Sequence, residues 1–412
     1  MVERGVPLVH RTLIAVALLA VTTSAAAEPA GVEWTHQFGT SSDDSVNAVS
    51  ATGSDFYAVG STGGTLPEES SQGRSDAFIQ RYDASGKIVW TDQFGTEFRD
   101  SAFGVDAADS GIYVVGANDL GHFDETPFVR RYDAMGNVLW ADHIQNLSIA
   151  TDVSATSSGI FVVGYMWRGD SQAFLRRYNE AGAVIWTRRF GTRDDDAALA
   201  IDAGASGIYV TGYTHGAMAK RKNPGRRDVF IRRYNGSGKV VWTRQFGSHK
   251  RWVEANGVAA GSSGIYVAGY TFGALRNQNA SGSYDAFVKS YRPSGEASWT
   301  RQFGTSKNDQ VLQLAADSSR VYVAGNTNGE LRGQASSGGV DVFLRNYDRS
   351  GARIWTHQFG TSGSDFPWGM DVASSGIYLG GQTDGTFAGQ ANLGLYDAFV
   401  TRYVETSNPS PD

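Results

Sequence analysis

The sequence predicts an all-β fold: a seven-bladed β-propeller with four antiparallel strands per blade and an N-terminal strand closing the last blade. Three observations carry this prediction. The stretch "RYDASGKIVWTDQFGT" at Arg81 to Thr96 returns as "RYNGSGKVVWTRQFGS" at Arg233 to Ser248 and as "NYDRSGARIWTHQFGT" at Asn346 to Thr361. Its tryptophan recurs at Trp34, Trp90, Trp140, Trp186, Trp242, Trp299 and Trp355, spaced 56, 50, 46, 56, 57 and 56 residues apart. Repeats of this period stack as solenoids, propellers or arrays. Finally, the two chain ends hold complementary halves of one repeat. Six of the tryptophans follow a tyrosine by eight residues, Trp34 follows none, and Tyr403 precedes none.

Within each copy the strands follow in a fixed order. In the fifth they read "EANGVAA" (Glu254 to Ala260), "GIYVAGY" (Gly264 to Tyr270), "DAFVKSY" (Asp285 to Tyr291) and "EASWTRQF" (Glu296 to Phe303). Alternation, β-branched residues and aromatics mark strands, and the tight "SSG" and "RPSG" connections mark hairpins. With 51 glycines, nine prolines and 12% aromatics, the composition agrees with many short strands, and no sustained helical stripe appears. The strand around Trp34 is expected beside those near Met370, Tyr378 and Phe399. It would remove an open sheet edge and tie the termini together. The recurring tryptophan itself is expected to fill space between stacked blades.

These motifs, "GIYVAGYT", "DAFVKSY" and "WTRQFGT", resemble the bacterial seven-bladed β-propeller (SBBP) repeat over roughly residues 32 to 404. The resemblance implies an exported propeller and transfers no catalytic residues. The Asp…Gly-x-x-x-Trp pattern also resembles quinoprotein propellers, but those use eight copies where this chain has seven.

The N-terminus reads as a secretory signal over residues 1–27. Arg4, His10 and Arg11 form a basic start, Thr12 to Ser24 an apolar run, and Ala25-Ala26-Ala27 a cleavage site. The apolar run is short for a membrane span, so no insertion is expected after cleavage. No cysteine is present, which excludes disulfides, thiol catalysis and a lipid anchor on cysteine. A secreted or periplasmic monomer is expected, with the propeller over residues 28–404 and a disordered tail over 405–412. The formal charge of -6 gives no whole-molecule signal for nucleic acid.

Function is sought where the copies disagree. The first-to-second and third-to-fourth connections are short and uniform. On the opposite face, the second-to-third loops and the inter-blade links are longer and varied, so that face is the candidate functional face. Blades 2 and 3 have shortened loops there, leaving a notch near Trp167 and Arg168. The blade 4 loop carries Lys220, Arg221, Lys222, Arg226 and Arg227, and the next link adds His249, Lys250, Arg251 and Trp252. These cations and aromatics suit an acidic polysaccharide, an envelope polymer or a protein, by charge-assisted hydrogen bonds and stacking.

Five blades carry an aspartate at the first strand (Asp44, Asp100, Asp196, Asp309, Asp365) and five at the third (Asp76, Asp228, Asp285, Asp341, Asp397). Their registration with the repeat points to turn hydrogen bonds, with calcium at clusters such as Asp194-Asp195-Asp196 as the sharper option. No cofactor is otherwise indicated. His36 and His357 share a repeat position with Arg188, Arg244 and Arg301 and so read as surface strand residues. His215 and His249 are a weak metal-pair option. No nucleophile elbow or phosphate loop occurs, and a lyase or hydrolase at the channel mouth is the rival to a binding scaffold.

Overall fold

The computed structural model describes residues 30–53, 55–119, 125–145, 149–166, 171–218, 225–248, 251–261 and 264–405. Among these residues, twenty-eight strands form seven four-stranded antiparallel sheets and no helix. Blade 1 runs from the channel outward through β2 (Asp44–Thr52), β3 (Asp55–Thr62), β4 (Asp76–Tyr82) and β5 (Ile88–Phe94). Blade 7 consists of β26 (Asp365–Ala373), β27 (Gly376–Thr383), β28 (Asp397–Glu405) and, from the other chain end, β1 (Ala30–Phe38). β1 pairs antiparallel with β28, Trp34 opposite Arg402 and Phe38 opposite Ala398. The closure expected from the two half repeats is therefore present. Glu405, expected to begin the tail, ends β28 and forms ion and hydrogen bonds with Arg320 and Asn346 of blade 6.

Hydrophobic content follows position in the blade. The second and third strands have both faces covered by neighbouring blades, which is why "GIYVVG" and "DAFI" run nearly continuously apolar. Seven buried clusters each join two adjacent blades. One packs Val229 and Ile231 of blade 4 against Val258, Val267 and Phe287 of blade 5.

The repeated tryptophan sits at these seams. The Trp90 indole stacks 6.1 Å from the Tyr132 ring of blade 2 and donates its N–H to the Ala134 carbonyl at 3.1 Å. Trp140 repeats both contacts with Tyr178 and Glu180 of blade 3. The turn that receives the indole needs glycine for two reasons. Gly136 has φ +87°, and a Cβ there would lie 2.9 Å from Trp90. Two positions after the tryptophan, the Arg244 and Arg301 guanidiniums donate to the Gly295 and Gly351 carbonyls of the next blade, at 2.6 and 2.7 Å. His357 holds the same position but is not a surface residue. Its ring lies 5.6 Å from Tyr403, and burial lowers its pKa. The next blade, the strand-swapped blade 7, has no third-to-fourth turn at this seam, because two chain ends meet there.

The loop-rich face has a frame of its own. In blade 6, the Gln358 side chain accepts from the Leu331 amide at 3.0 Å and donates to the Gly329 carbonyl at 2.9 Å and to Asp341 at 2.7 Å. Thr327 holds the Gly329 amide beside it. Equivalent glutamines (Gln37, Gln93, Gln245 and Gln302) clamp the loops of blades 7, 1, 4 and 5 onto Asp397, Asp76, Asp228 and Asp285. Blades 2 and 3 lack all three parts: His143 and Arg189 replace the glutamine, Thr126 and Gln172 the aspartate, and Asn118 and Met166 the threonine. These are the blades with shortened loops. The long loops vary in sequence at their tips, but each starts from one fixed clamp.

Candidate functional site

The first-strand aspartates also have a structural task. Asp44, Asp100, Asp309 and Asp365 each accept the amide of the threonine four residues earlier, at 2.6 to 2.7 Å, and Asp196 does the same with Thr192. Turn bonding by registered aspartates is what the repeat predicted. In the Asp194–Asp196 cluster, Asp194 and Asp195 are exposed while Asp196 is buried in this bond. Among the described residues no group of three or more His, Asp or Glu side chains is arranged to hold a metal ion.

Six of the ten candidate contact residues, Lys220, Arg221, Lys222, Lys250, Trp167 and Arg168, lie outside the described residues, as does His249. The other four come together between blades 4 and 5 on the loop-rich face. The blade 4 loop ends at β16 (Asp228–Tyr234), and the inter-blade link runs into β18 (Val253–Gly261). Backbone bonds stitch the two segments: the Arg226 amide to the Arg251 carbonyl at 3.0 Å, and the Val253 amide to the Arg227 carbonyl at 2.9 Å. The sequence places the loop and the link in one sector of the same face, and the adjacency of blades 4 and 5 joins them through backbone bonds.

The four residues do not share one role. Arg227 turns inward: it forms an ion pair with Glu254, donates Nε–H to His215 Nε2 at 3.1 Å, and lies 3.9 Å from the Tyr213 ring centre and 4.9 Å from that of Trp252. Its charge is thereby matched by a carboxylate, and its guanidinium lies over the Trp252 ring. Because Nε2 accepts, the His215 imidazole is neutral with its proton on Nδ1, 3.9 Å from Asp195. Burial and then the Arg227 charge lower the His215 pKa, consistent with that state.

Arg226 and Arg251 are exposed, and neither forms an ion pair among the described residues. They line an open cavity of about 310 Å³ with Trp252, Phe272 and Tyr284. The Arg251 guanidinium lies 4.8 Å from the Phe272 ring centre, and the Tyr284 ring meets Phe272 and Tyr270 edge-on at 5.4 Å. Trp252 is 45% exposed. Two available guanidiniums beside an aromatic wall can take anionic oxygens bidentately while the rings receive an apolar face.

A second group escaped the sequence reading. The channel, with a cavity of about 400 Å³, is lined by the first strands of all seven blades. Ser50, Asp106, Ser154, Asp202 and Asp371 hold one position in the first strands of blades 1, 2, 3, 4 and 7. Each accepts a backbone N–H from the next blade: Ala107 at 3.1 Å, Ala155 at 2.6 Å, Ala203 at 3.1 Å, Ala260 at 2.5 Å and Ala51 at 2.8 Å. The innermost strand is an edge, and these side chains satisfy part of its open backbone. Blades 5 and 6 carry Ala259 and Ala315 there, and Asn256 and Gln313 bridge those seams instead. Asp152 also enters the channel from blade 3. The carboxylates keep some surface toward the narrow bore yet are enclosed by protein. Burial, reinforced by repulsion from Asp371 and Asp202, pushes Asp106 up to about 7; burial with repulsion from Asp106 and Asp202 pushes Asp152 up to about 7, and burial with repulsion from Asp371 pushes Asp202 up to about 6. The signal in the sequence was a polar residue two positions before the hairpin, easily read as surface alternation.

No family model matches the chain. Over 197 residues it is 27% identical to the regulatory protein FlaEY of Caulobacter vibrioides, covering 43% of this chain and 20% of that protein. The chain thus spans about one fifth of the length of the curated relative it matches. Among solved structures it is similar to the Neurospora crassa Pan2 WD40 domain, with a TM-score of 0.53 and 11% identity over 90% of this chain and 92% of that one. The WD40 β-propeller domain of Doa1 gives 0.51 and 10%, over 92% and 97%. These likenesses show the fold. The chain is a seven-bladed β-propeller.

Proposed function

We propose that this propeller is an exported binding scaffold that holds an acidic polymer, an acidic glycan or envelope polysaccharide, on its loop-rich face between blades 4 and 5. The observation that carries the reading is the convergence of Arg226 and Arg251, neither in an ion pair among the described residues, on one aromatic-walled cavity with Trp252, Phe272 and Tyr284. On an otherwise acidic molecule such a patch draws polyanions locally rather than over the whole surface. Lys220, Arg221, Lys222 and Lys250 belong to the same loop and link and add to the positive charge in this proposal, and Trp167 with Arg168 forms its second contact region. The reading takes the SBBP-type repeat and the signal over residues 1–27 as its grounds for export, and a monomer as the working unit. It involves no nucleic acid and no membrane insertion. A protein partner is a further ligand class for the same face.

The test is binding of the chain to a panel of acidic and neutral polysaccharides under increasing salt, with Arg226→Ala and Arg251→Ala as variants. Salt-sensitive binding that these variants lose supports the proposal. Binding that ignores both salt and the variants refutes it. Turnover of any polysaccharide would favour the rival reading, a lyase or hydrolase at the channel mouth.

A further inference from the structure

We propose that the mouth of the central channel between blades 7, 1 and 2 is a second ligand site, built for an uncharged sugar unit. Ten tryptophans occur in the chain, and seven of them mark the repeat. Of the other three, Trp167 and Trp252 drew attention in the sequence and Trp368 did not. The structure places Trp368 in a cavity of about 440 Å³ on the loop-rich side of the channel, within the size range of small-molecule sites.

The cavity exists because of departures from the repeat. At the second-strand position facing the mouth, blades 3, 4 and 5 carry Tyr165, Tyr213 and Tyr270, whereas blade 1 has Ser61 and blade 7 has Gln382. Opposite these on the first strands are Ser45 and Phe366. Short side chains therefore leave open on this side a volume at the level that tyrosines occupy across the ring.

The lining has the chemistry of a sugar site. Phe366 and Trp368 stack with ring centroids 5.7 Å apart and planes within 11°, so Phe366 supports one face of the indole. The Trp368 carbonyl is held by the Gln313 side chain of blade 6. Phe103 from blade 2 closes the apolar part. Around these rings the polar groups are hydroxyls and amides, and among the described residues no lining side chain is charged. Asn47 is oriented by donating to Ser101 Oγ at 3.0 Å and to the Ala102 carbonyl at 2.9 Å, while accepting from Ser45 at 3.0 Å. Ser101 keeps its own hydroxyl proton to donate, and the Gln382 amide and Ser61 hydroxyl make no side-chain hydrogen bond among the described residues. A pyranose presents an apolar C–H face and a rim of hydroxyls, which matches a supported indole ringed by unspent neutral donors and acceptors. An anion would find no counter-charge among the described lining residues, in contrast to the blade 4–5 cavity, and this proposal does not depend on that one.

The test is calorimetric titration of the whole chain with cellopentaose, maltopentaose and chitopentaose at low and high salt. At least one should bind saturably with an affinity that salt leaves unchanged. Trp368→Ala should weaken it by about tenfold or more, a loss of the size expected for one stacked ring. Gln382→Ala, a change at a half-buried residue whose side chain has no hydrogen-bond partner among the described residues, should weaken it several-fold without altering the melting temperature. Arg251→Ala should leave it intact, which separates this site from the polyanion site. Failure of all three sugars to bind, full affinity in folded Trp368→Ala and Gln382→Ala, or loss of binding in Arg251→Ala would each overturn the proposal.

Discussion

Asp371 accepts a hydrogen bond from the backbone amide of Ala51 at 2.8 Å, across the seam between the last blade and the first. It is one of a set of channel side chains that do at the inner edge what strand pairing does elsewhere. Four of the acids near this ring are aspartates whose enclosure disfavours ionisation.

Stability should therefore fall as pH rises through the channel's titration range. Asp106 is pushed up to about 7 in the folded state. Between roughly pH 4 and 7 the folded protein holds a proton that the unfolded chain has released, so raising the pH favours unfolding. Asp106→Asn keeps an acceptor for the Ala155 amide and removes the charge. At pH 8 the variant should melt higher than the parent, on the order of 3 °C, and the gap should close toward pH 5. Comparing the two proteins at each pH removes the opposing contribution of buried histidines such as His357, whose lowered pKa costs stability in acid. An equal gap at both pH values would contradict the assignment.

The loop clamp is the strongest structural prediction. Gln358→Ala strands the buried Leu331 amide and takes one donor each from the Gly329 carbonyl and Asp341, which keep the Thr327 hydroxyl and the Ser337 amide. We expect a loss of about 2–4 kcal/mol in denaturant unfolding. Protease should then cut first in the loop between Thr327 and Asp341.

Arg227 and Arg251 should separate structure from binding. Arg227→Ala leaves Glu254 without its ion pair and Trp252 without the guanidinium over its ring, so its melting temperature should fall more than that of Arg251→Ala. Arg251→Ala should cost more polyanion affinity, because the Arg251 charge has no carboxylate partner among the described residues. The reverse ranking in both measurements would place the ligand on the wrong arginine.

The inter-blade turn can be tested with a matched pair of glycines. Gly351 has φ +77° and would place a Cβ 2.7 Å from Trp299, whereas Gly53 has φ +60° with open space around it. Gly53→Ala should cost only the left-handed backbone penalty of roughly 1–2 kcal/mol. Gly351→Ala should cost that plus the displacement of the indole, about 2–4 kcal/mol in all. Equal losses would mean that the tryptophan seat is loose.

Calcium is expected to matter little. The registered aspartates already accept backbone amides and glutamine donors. Addition of calcium or of a chelator should leave both the melting curve and the polyanion affinity unchanged, and a calcium-dependent shift in either would reopen the acidic cluster at Asp194 to Asp196.

Much of this molecule was legible in one dimension. The spacing of the seven tryptophans, the strand signals between them and the orphan halves at Trp34 and Tyr403 determined the blade count and the closure, because a repeat writes the same local physics into every copy. The turn-bonding role of the registered aspartates was legible for the same reason. What only the tertiary structure decided lies between copies. Arg227 is claimed by Glu254, Asp371 takes the Ala51 amide, Arg244 reaches the Gly295 carbonyl, and Ser61, Phe103 and Trp368 from three blades face one cavity. Which side chains meet across a seam depends on how sheets stack and on which positions point into the bore. A periodic sequence makes those positions look alike, and the closed ring sets them against different neighbours.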